Sequence, residues 1–291
     1  MTPFRYLAPT SIGAAIDALK ASGGTAKLLG GGTDLLMALR ARRYAASVVV
    51  DTKRIPELSG VNVRADGSFR IGAATPCSVV AADPALSAAW PGVAESANLI
   101  GSVQVRNRAT LAGNLCNASP AADSVPALIA AGAVAVVAGP GGERRLAVEQ
   151  VTTGPGTTAL APDEMLVAFE LPAPAPRSGS AYLRLTPRTE MDIAIVGCGI
   201  ALTLAADGTI AAARMALGAV APTALPVPEA AGVLVGRRLD DAALKALDAV
   251  ARAACRPITD KRGTSAYRIR GAGVLARRAA ILAASRAEAQ P

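Results

Sequence analysis

The chain has 291 residues, enough to bury a substantial core in one or two domains, and its longest apolar runs are shorter than the roughly 18 residues that span a membrane. Histidine is absent, which excludes a Ser-His-Asp triad, a histidine zinc site and a flavin attached through histidine. The formal charge of +8 comes from scattered single and paired basic residues with few aromatic residues, which favours an acidic partner protein over nucleic acid.

The cysteines and the first residues of the chain favour the cytoplasm. Cys77, Cys116, Cys198 and Cys255 are widely separated, so they offer neither a zinc knuckle nor an iron–sulfur loop. Nor do they resemble the disulfide framework of a secreted protein. Residues 1–6 lack the charged start and apolar stretch of a signal peptide. We therefore expect a cytoplasmic protein without a metal site of its own.

The first predicted elements form a small unit in which a turn and a helix connect two buried strands. Their boundaries follow from apolar periodicity, from capping residues and from glycine. The elements are a helix that Thr10 or Ser11 caps and that ends at Lys20, strand Ala26–Leu29, a turn at Gly30–Gly32, a helix Asp34–Arg40 capped by Thr33, and strand Val48–Asp51.

The glycine loop, residues 30–34, has two interpretations. Glycine permits positive φ and lets backbone N–H groups approach an anion, and the following helix adds its positive N-terminal end, so the loop is suited to a diphosphate. Three glycines alone are equally typical of an ordinary turn between a strand and a helix. The loop is not a Walker loop, because no Gly-Lys-Ser/Thr follows, and it is not a G-x-G-x-x-G fingerprint.

Short strands alternate with helical stretches from residue 55 to about residue 172. The predicted strands are Phe69–Ala73, Val134–Ala138 and Leu166–Leu171, and the helical stretches are Pro84–Leu99 and Pro126–Ala131. Because proline is favoured in the first turn of a helix, Asp123 or Ser124 is the expected start of the second stretch.

A second segment, residues 110–123, carries polar groups suited to a nucleotide. Gly113 allows close backbone approach, Asn114 donates and accepts hydrogen bonds, and Asp123 accepts them from ribose hydroxyls or an amino group. The same residues are also typical of a loop before a helix, in which Asn117 forms a turn and Asp123 a cap. Taken with the glycine loop, the segment suggests one extended dinucleotide held between two loops.

The remainder of the chain follows a proline-rich linker, residues 172–179. The large apolar residues of the last helix predict one packing face, which consists of Tyr267, Val274, Leu275, Ile281 and Leu282. The predicted elements are strands Ile193–Leu204 and Ala211–Leu217, a hairpin turn at Asp207-Gly208, and helices Asp240–Ala254 and Thr264–Ala284.

The first of these strands contains a pattern that begins like a nucleotide-binding turn. Gly197 and Gly199 follow apolar residues, but Leu202 stands at the third glycine position and no acidic residue follows at the required distance. We interpret the segment as an antiparallel strand that contains glycine.

The two segments, in this order, closely resemble those of the FAD-binding medium subunit of molybdenum hydroxylases, the xanthine dehydrogenase/carbon monoxide dehydrogenase flavoprotein family. Three later stretches resemble the same family, so the resemblance covers essentially the whole chain. They are residues 181–196, with Arg184, Arg188 and Met191-Asp192-Ile193, residues 216–223, and residues 257–268.

The resemblance implies an α+β fold with two domains. Residues 1–175 would form an FAD-binding domain of the PCMH type, similar to vanillyl-alcohol oxidase, with subdomains of about 1–54 and 55–175. Residues 176–291 would form a small C-terminal domain of antiparallel sheet plus helices.

The resemblance also implies which residues bind FAD. Asp123 would face the adenosine half, whereas Leu166 and Arg184 would lie near the flavin end. The family usually has two adjacent glycines before the asparagine, and here Ala112 replaces the first. The residues expected along the diphosphate and ribityl chain are Leu28, Leu29, Gly30, Gly31, Gly32, Thr33, Asp34 and Leu35, and those expected to complete the cleft are Ile100, Gly101, Thr110, Gly113, Asn114, Asn117 and Asp123.

By resemblance, the chain is an oxidoreductase subunit that holds FAD non-covalently and contributes no catalytic residue. It would pass electrons from the [2Fe-2S] clusters of a small subunit to a terminal acceptor, while a large subunit holds the molybdenum cofactor. A dimer of such heterotrimers is expected. The alternatives are a free-standing FAD-dependent oxidase with its own substrate pocket and a non-catalytic nucleotide-binding scaffold. The short C-terminal region and the absence of histidine count against the oxidase.

Overall fold

Residues 3–290 are described by a computed structural model, so residues 1, 2 and 291, which the expected domain limits and the N-terminal interpretation include, lie outside it. The first part of the chain forms a three-stranded parallel sheet with β3 in the centre. Val48, Val49 and Val50 of β3 are buried, as in a parallel strand covered on both faces. The elements are β1 (Arg5–Leu7), α1 (Ile12–Ala21), β2 (Ala26–Leu29), α2 (Leu35–Arg40) and β3 (Val48–Asp51).

The second part forms a five-stranded antiparallel sheet in the order β4-β5-β10-β6-β7, together with a helical layer and the two-stranded ribbon β8-β9. The strands are β4 (Val61–Val63), β5 (Phe69–Gly72), β6 (Val134–Gly139), β7 (Gly142–Ala147), β8 (Thr152–Gly154), β9 (Thr157–Thr158) and β10 (Met165–Leu171). The helices are α3 (Cys77–Ala82), α4 (Pro84–Ala89), α5 (Pro91–Asn98), α6 (Val103–Arg106), α7 (Leu111–Cys116) and α8 (Ser124–Ala130).

The third part forms a four-stranded antiparallel sheet in chain order, covered by helices. As predicted, the glycine-bearing segment is an antiparallel strand, and the hairpin turn lies at residues 205–209. The elements are β11 (Ser178–Leu185), β12 (Val196–Leu204), β13 (Ile210–Gly218), β14 (Leu225–Pro226), α9 (Glu229–Leu234), α10 (Asp241–Ala254) and α11 (Ser265–Glu288). Among residues 3–290, no helix combines the length and the apolar character that crossing a membrane requires.

Two predicted helices differ from the observed ones near proline and glycine. The single stretch Pro84–Leu99 is two helices, because Pro91 has no N–H group and disfavours a helical conformation at Trp90, where φ is −131° and ψ is 62°. Helix α2 begins after Asp34, not after Thr33, and no side chain caps it. Its six residues make a weak dipole, so its N-terminus adds little to the glycine loop.

The packing face of α11 was predicted only in part: Leu275 is buried and Leu282 packs against the same core, but two other residues of the predicted face are exposed. Tyr267 and Ile281 are 48% and 51% exposed, whereas the helix buries a row of alanines against β11, β12 and α10. Small side chains are needed because the helix lies very close to β11: a Cβ added at Gly179 would lie 2.1 Å from the carbonyl oxygen of Ala283. The buried alanines are Ala272, Ala276, Ala279, Ala280, Ala283, Ala284 and Ala287.

Close packing also joins the third part of the chain to the second. Strand β12 lies on helix α8, and a Cβ added at Gly199 would lie 2.4 Å from the carbonyl oxygen of Pro126. Gly199, one of the two glycines that make this strand look like a nucleotide-binding turn, therefore allows β12 to pack closely on α8. Arg286 also forms an ion pair with Glu95 across this boundary.

Candidate cofactor-binding site

A cavity of about 660 Å³ lies where the three parts of the chain meet. The glycine loop forms one wall, residues 100–123 form the second, and residues 191–193 of the loop between β11 and β12 contribute the third. The structure brings together around this cavity all the residues expected at the FAD site except Leu29, Leu166 and Arg184. Those that line it are Leu28, Gly30, Gly31, Gly32, Thr33, Asp34, Leu35, Ile100, Gly101, Thr110, Gly113, Asn114, Asn117 and Asp123.

The glycine loop presents free hydrogen-bond donors to this cavity. The backbone N–H groups of residues 30–34 donate to no group within residues 3–290. Gly32 has φ +81°, a conformation that favours glycine. A Cβ at Gly31 would lie 2.0 Å from the carbonyl oxygen of Arg108, so the loop is pressed against the segment that precedes helix α7. Backbone N–H groups without partners are groups that a diphosphate satisfies.

A polar network behind the loop was not found by sequence reasoning. Lys53 Nζ donates to the carbonyl oxygen of Gly30 over 3.2 Å and to Asp51 Oδ1 over 2.6 Å. Tyr6 donates its hydroxyl to Asp51 Oδ2 over 2.6 Å. The available signal was the position of Asp51 at the carboxyl end of β3, since parallel pairing places it beside the end of β2 and the start of the loop.

The second wall is held by two side chains whose hydrogen bonds are internal. Thr110 Oγ1 caps helix α7 by accepting from the N–H of Gly113 over 2.9 Å. Asn114 Oδ1 accepts from the N–H and hydroxyl of Ser124, over 3.2 and 2.7 Å. The Asn114 amide nitrogen has no hydrogen-bond partner in the described part of the chain. Thr110 thus shapes the wall, while Asn114 also leaves a donor for a ligand.

The resemblance implied that Asp123 and Arg184 lie at opposite ends of the site, but their side chains are in contact. Arg184 Nη1 donates to Asp123 Oδ2 over 2.9 Å, and the Tyr182 hydroxyl donates to Asp123 Oδ1 over 2.8 Å. Burial raises the pKa of Asp123, and Arg184 and Tyr182 offset part of that rise. The Arg184 side chain is only 4% exposed and does not line the cavity. Its ion pair connects strand β11 of the third part of the chain to Asp123 of the second part.

Leu29 and Leu166 lie in the hydrophobic core and do not line the cavity. Leu28 of β2 lines the cavity, whereas Leu29 packs against Leu39 and Val49. Leu166 is buried in the middle strand, β10, of the five-stranded sheet.

Ala112, which departs from the family pattern, is buried in the core cluster and does not line the cavity. Its methyl group therefore packs against the interior of the fold. The departure leaves the glycine at position 113 and the asparagine at position 114 on the cavity wall.

Further lining residues come from segments that sequence reasoning did not assign to the site. Lys27 and Tyr44 line the cavity, with the Lys27 ammonium 5.4 Å from the centre of the Tyr44 ring. Met191 has φ +52° and donates its N–H to the carbonyl oxygen of Gly101 over 3.1 Å, which ties the third wall to the second. Asp192 and Ile193 continue that wall. This loop was part of a recognised family segment, but nothing in its spacing indicated contact with a ligand.

The chemistry of the cavity suits an extended phosphate-bearing ligand and no covalent role for the protein. Burial raises the pKa of Cys116 on the wall to about 12, so its thiol stays protonated at neutral pH. Within the described range no group of three His, Cys, Asp or Glu residues is arranged to hold a metal. The free N–H groups of the loop and the Asn114 amide fit the diphosphate and hydroxyl groups of FAD.

Comparisons with known proteins agree along the whole chain. Residues 2–174 match the family described as "FAD binding domain in molybdopterin dehydrogenase", and residues 181–283 match the "CO dehydrogenase flavoprotein C-terminal domain". The carbon monoxide dehydrogenase medium chain of Hydrogenophaga pseudoflava is 36% identical over 277 residues, 95% of each chain. The putative xanthine dehydrogenase FAD-binding subunit of Escherichia coli is 37% identical over 199 residues, 68% of each chain.

Solved structures show the same likeness. A chain of carbon monoxide dehydrogenase from Hydrogenophaga pseudoflava matches with a TM-score of 0.93 at 36% identity, covering 98% of this chain and 99% of that one. Both the FAD-binding fold and the C-terminal fold are included in this match. This chain therefore belongs to the family of FAD-binding subunits of the molybdenum hydroxylases and is an oxidoreductase subunit of that type.

Proposed function

We propose that this chain holds FAD non-covalently in the cavity between the glycine loop and residues 100–123 and passes electrons from the [2Fe-2S] clusters of a partner subunit to a terminal acceptor. The observation that carries the assignment to this cavity is the run of unpartnered N–H groups at residues 30–34, facing a wall with the free amide of Asn114. Bound FAD would supply the electron-accepting chemistry, as the cofactor does in flavoproteins generally.

The residues of this chain bind and orient the cofactor. Residues 30–34 would donate backbone hydrogen bonds to the diphosphate, and the Asn114 amide would donate to a neighbouring oxygen. Lys27 would add positive charge on the cavity wall. Asp123 would keep its hydrogen bonds to Tyr182 and Arg184, and in this way it would fix the shape of the second wall.

We also propose the division into an FAD-binding domain, residues 1–175 with subdomains of about 1–54 and 55–175, and a C-terminal domain, residues 176–291. The separate sheets support this division, as do the family matches, which end at residue 174 and resume at residue 181.

The proposed partners are a small [2Fe-2S] subunit and a large molybdenum-cofactor subunit, in a cytoplasmic dimer of heterotrimers. The support is the resemblance to the medium chain of carbon monoxide dehydrogenase, whose name states that it is one chain of a larger enzyme. The excess of basic residues fits contact with acidic partner surfaces.

The test is purification of the chain from its native cells with neighbouring chains untagged, followed by flavin, iron and molybdenum analysis. We expect FAD to be released on denaturation without proteolysis, and an iron–sulfur protein and a molybdenum protein to copurify. A flavin-containing chain that oxidises a substrate alone would favour the free-standing oxidase. A colourless chain that takes up no added FAD would overturn both functions.

A further inference from the structure

We propose that Lys53, which lies outside the cavity, is a positioning residue for the diphosphate: it holds the Gly30–Gly31 peptide so that the Gly31 N–H points into the cavity. The inference rests on the proposed function. It concerns a side chain that touches no ligand and acts only through the backbone of the glycine loop.

The ammonium group of Lys53 lies between the glycine loop and a buried carboxylate. Lys53 Nζ lies 3.2 Å from the carbonyl oxygen of Gly30 and 2.6 Å from Asp51 Oδ1, while Asp51 is 6% exposed and also accepts from Tyr6 and from the Lys53 N–H. A carboxylate with these partners is fixed in place, and it fixes the ammonium in turn.

The trans peptide between Gly30 and Gly31 sets the direction of the Gly31 N–H. The residues described contain no cis peptide bond, so the C=O of Gly30 and the N–H of Gly31 point in opposite directions. The carbonyl points to Lys53, which does not line the cavity, and the Gly31 N–H has no partner among residues 3–290. The N–H is therefore available on the cavity side.

Without a restraint, the orientation of this peptide is easily reversed. Peptides between glycines flip easily, because glycine populates φ values of both signs. A flipped Gly30–Gly31 peptide would turn the carbonyl oxygen toward the site of the diphosphate, where it would repel the phosphate oxygens. The hydrogen bond from the ammonium stabilises the orientation that binds.

The positive charge of Lys53 is largely balanced by the carboxylate of Asp51. Asp51 forms an ion pair with it, so the pair adds little net charge near the cavity. Arg54, the next residue, is exposed and has no ion-pair partner within the described range. A variant of Arg54 is therefore a matched control for the loss of one positive charge.

The experiment uses the full chain after removal of FAD and compares Lys53→Met, Lys53→Arg, Asp51→Asn/Lys53→Met and Arg54→Met. The dissociation constant for FAD is measured by flavin fluorescence at low and high salt, and the free energy of unfolding of the FAD-free chain by urea. We expect Lys53→Met and the double variant to weaken FAD binding about tenfold, the effect of one hydrogen bond to a charged group. The weakening should persist at high salt.

Lys53→Arg is expected to restore most of the affinity, because its guanidinium also donates to a carbonyl, and Arg54→Met is expected to bind as the wild type does. Wild-type affinity in the double variant would overturn the inference. So would an equal loss in Arg54→Met, or a loss that disappears at high salt, since either result would assign the effect to charge. A wild-type chain that binds no FAD would instead overturn the proposed function.

Discussion

The guanidinium of Arg184 and the carboxylate of Asp123, 2.9 Å apart and nearly inaccessible to water, connect strand β11 to the residue that precedes helix α8. The two residues come from the third and second parts of the chain, and the Tyr182 hydroxyl completes the contact. Because Asp123 also lines the cavity, the ion pair affects both the stability of the fold and the shape of the site.

Replacing Arg184 with Met is expected to destabilise the chain by about 3–5 kcal/mol, because it leaves a buried carboxylate without its cation. Arg184→Lys keeps the charge and should cost less. Urea unfolding of the FAD-free variants measures both. Asp123→Asn/Arg184→Met, which removes both charges, should be more stable than Arg184→Met alone. Equal stability of Arg184→Met and the wild type would contradict this account.

Gly31→Ala is expected to weaken FAD binding by at least about tenfold and to destabilise the chain by about 1–3 kcal/mol, since the new methyl group meets the backbone of Arg108, which cannot simply turn aside. The matched control is Gly13→Ala in helix α1, where an added Cβ has no neighbour within 4 Å. That variant should gain up to about 1 kcal/mol from helix propensity and keep its FAD affinity. Normal FAD affinity in Gly31→Ala would show that the loop does not bind the diphosphate.

Asn114→Asp separates binding from folding. The carboxylate retains acceptors for both bonds from Ser124, so the wall keeps its shape, but it places a negative charge beside the proposed diphosphate. We expect FAD affinity to fall by about tenfold at low salt and to recover in part as salt is raised. Asn62→Asp on strand β4, away from the cavity, should have no effect. An unchanged FAD affinity in Asn114→Asp would exclude contact between this residue and the phosphates.

Ala112→Gly would restore the two adjacent glycines of the family and is expected to leave FAD affinity unchanged. The methyl group lies in the core, so its removal costs stability, about 1 kcal/mol from helix propensity, without opening the cavity. Fluorescence titration and urea unfolding of the same preparation separate the two effects. Tighter binding in the variant would indicate that Ala112 obstructs the ligand after all.

Acid should weaken the support of the glycine loop through Asp51. Burial raises the pKa of this residue, but hydrogen bonds from Lys53 and Tyr6 outweigh it and hold the pKa below its ordinary value. The ionised group therefore stabilises the fold above an unfolded-state pKa of about 3.9, and this contribution is lost as the pH falls through the lower folded pKa. The stability difference between wild type and Asp51→Asn should shrink from about pH 5 to about pH 2. A constant difference across that range, measured by urea unfolding, would refute it.

Local patterns of sequence predicted seven of the fourteen strands of the described residues, and missed others such as β1, β7 and β11. Strands β2 and β3 lie where apolar runs and flanking glycine placed them, and Ser11 accepts from the N–H of Ala14 as the cap of α1. What periodicity could not reveal was the distance between packed elements. The large apolar residues of α11 indicated the buried face only in part, because the close approach of β11 selects alanines for most of that face.

In the candidate site, too, local sequence patterns predicted some residues and missed others. The glycine loop and Asn114 were predicted because they carry their chemistry in adjacent residues, and resemblance supplied their order. Lys53, Tyr6 and Met191 were missed, since tertiary contacts alone bring them to the loop or to the cavity wall. The expected separation of Asp123 from Arg184 was wrong, because a sequence pattern does not show that these two charges pair with each other.

The walls of the cavity come from the three parts of the chain, each of which contains its own main sheet. These parts already share hydrophobic cores, in which Val50 packs with Val136 and Tyr182 with Leu128, and a molecule that fills the cavity adds contacts to all three of them. Ligand binding adds its free energy to every motion that would part these pieces, because each such motion must first release the ligand. With a ligand bound, the three parts of the chain would therefore separate less readily than they do in the ligand-free chain.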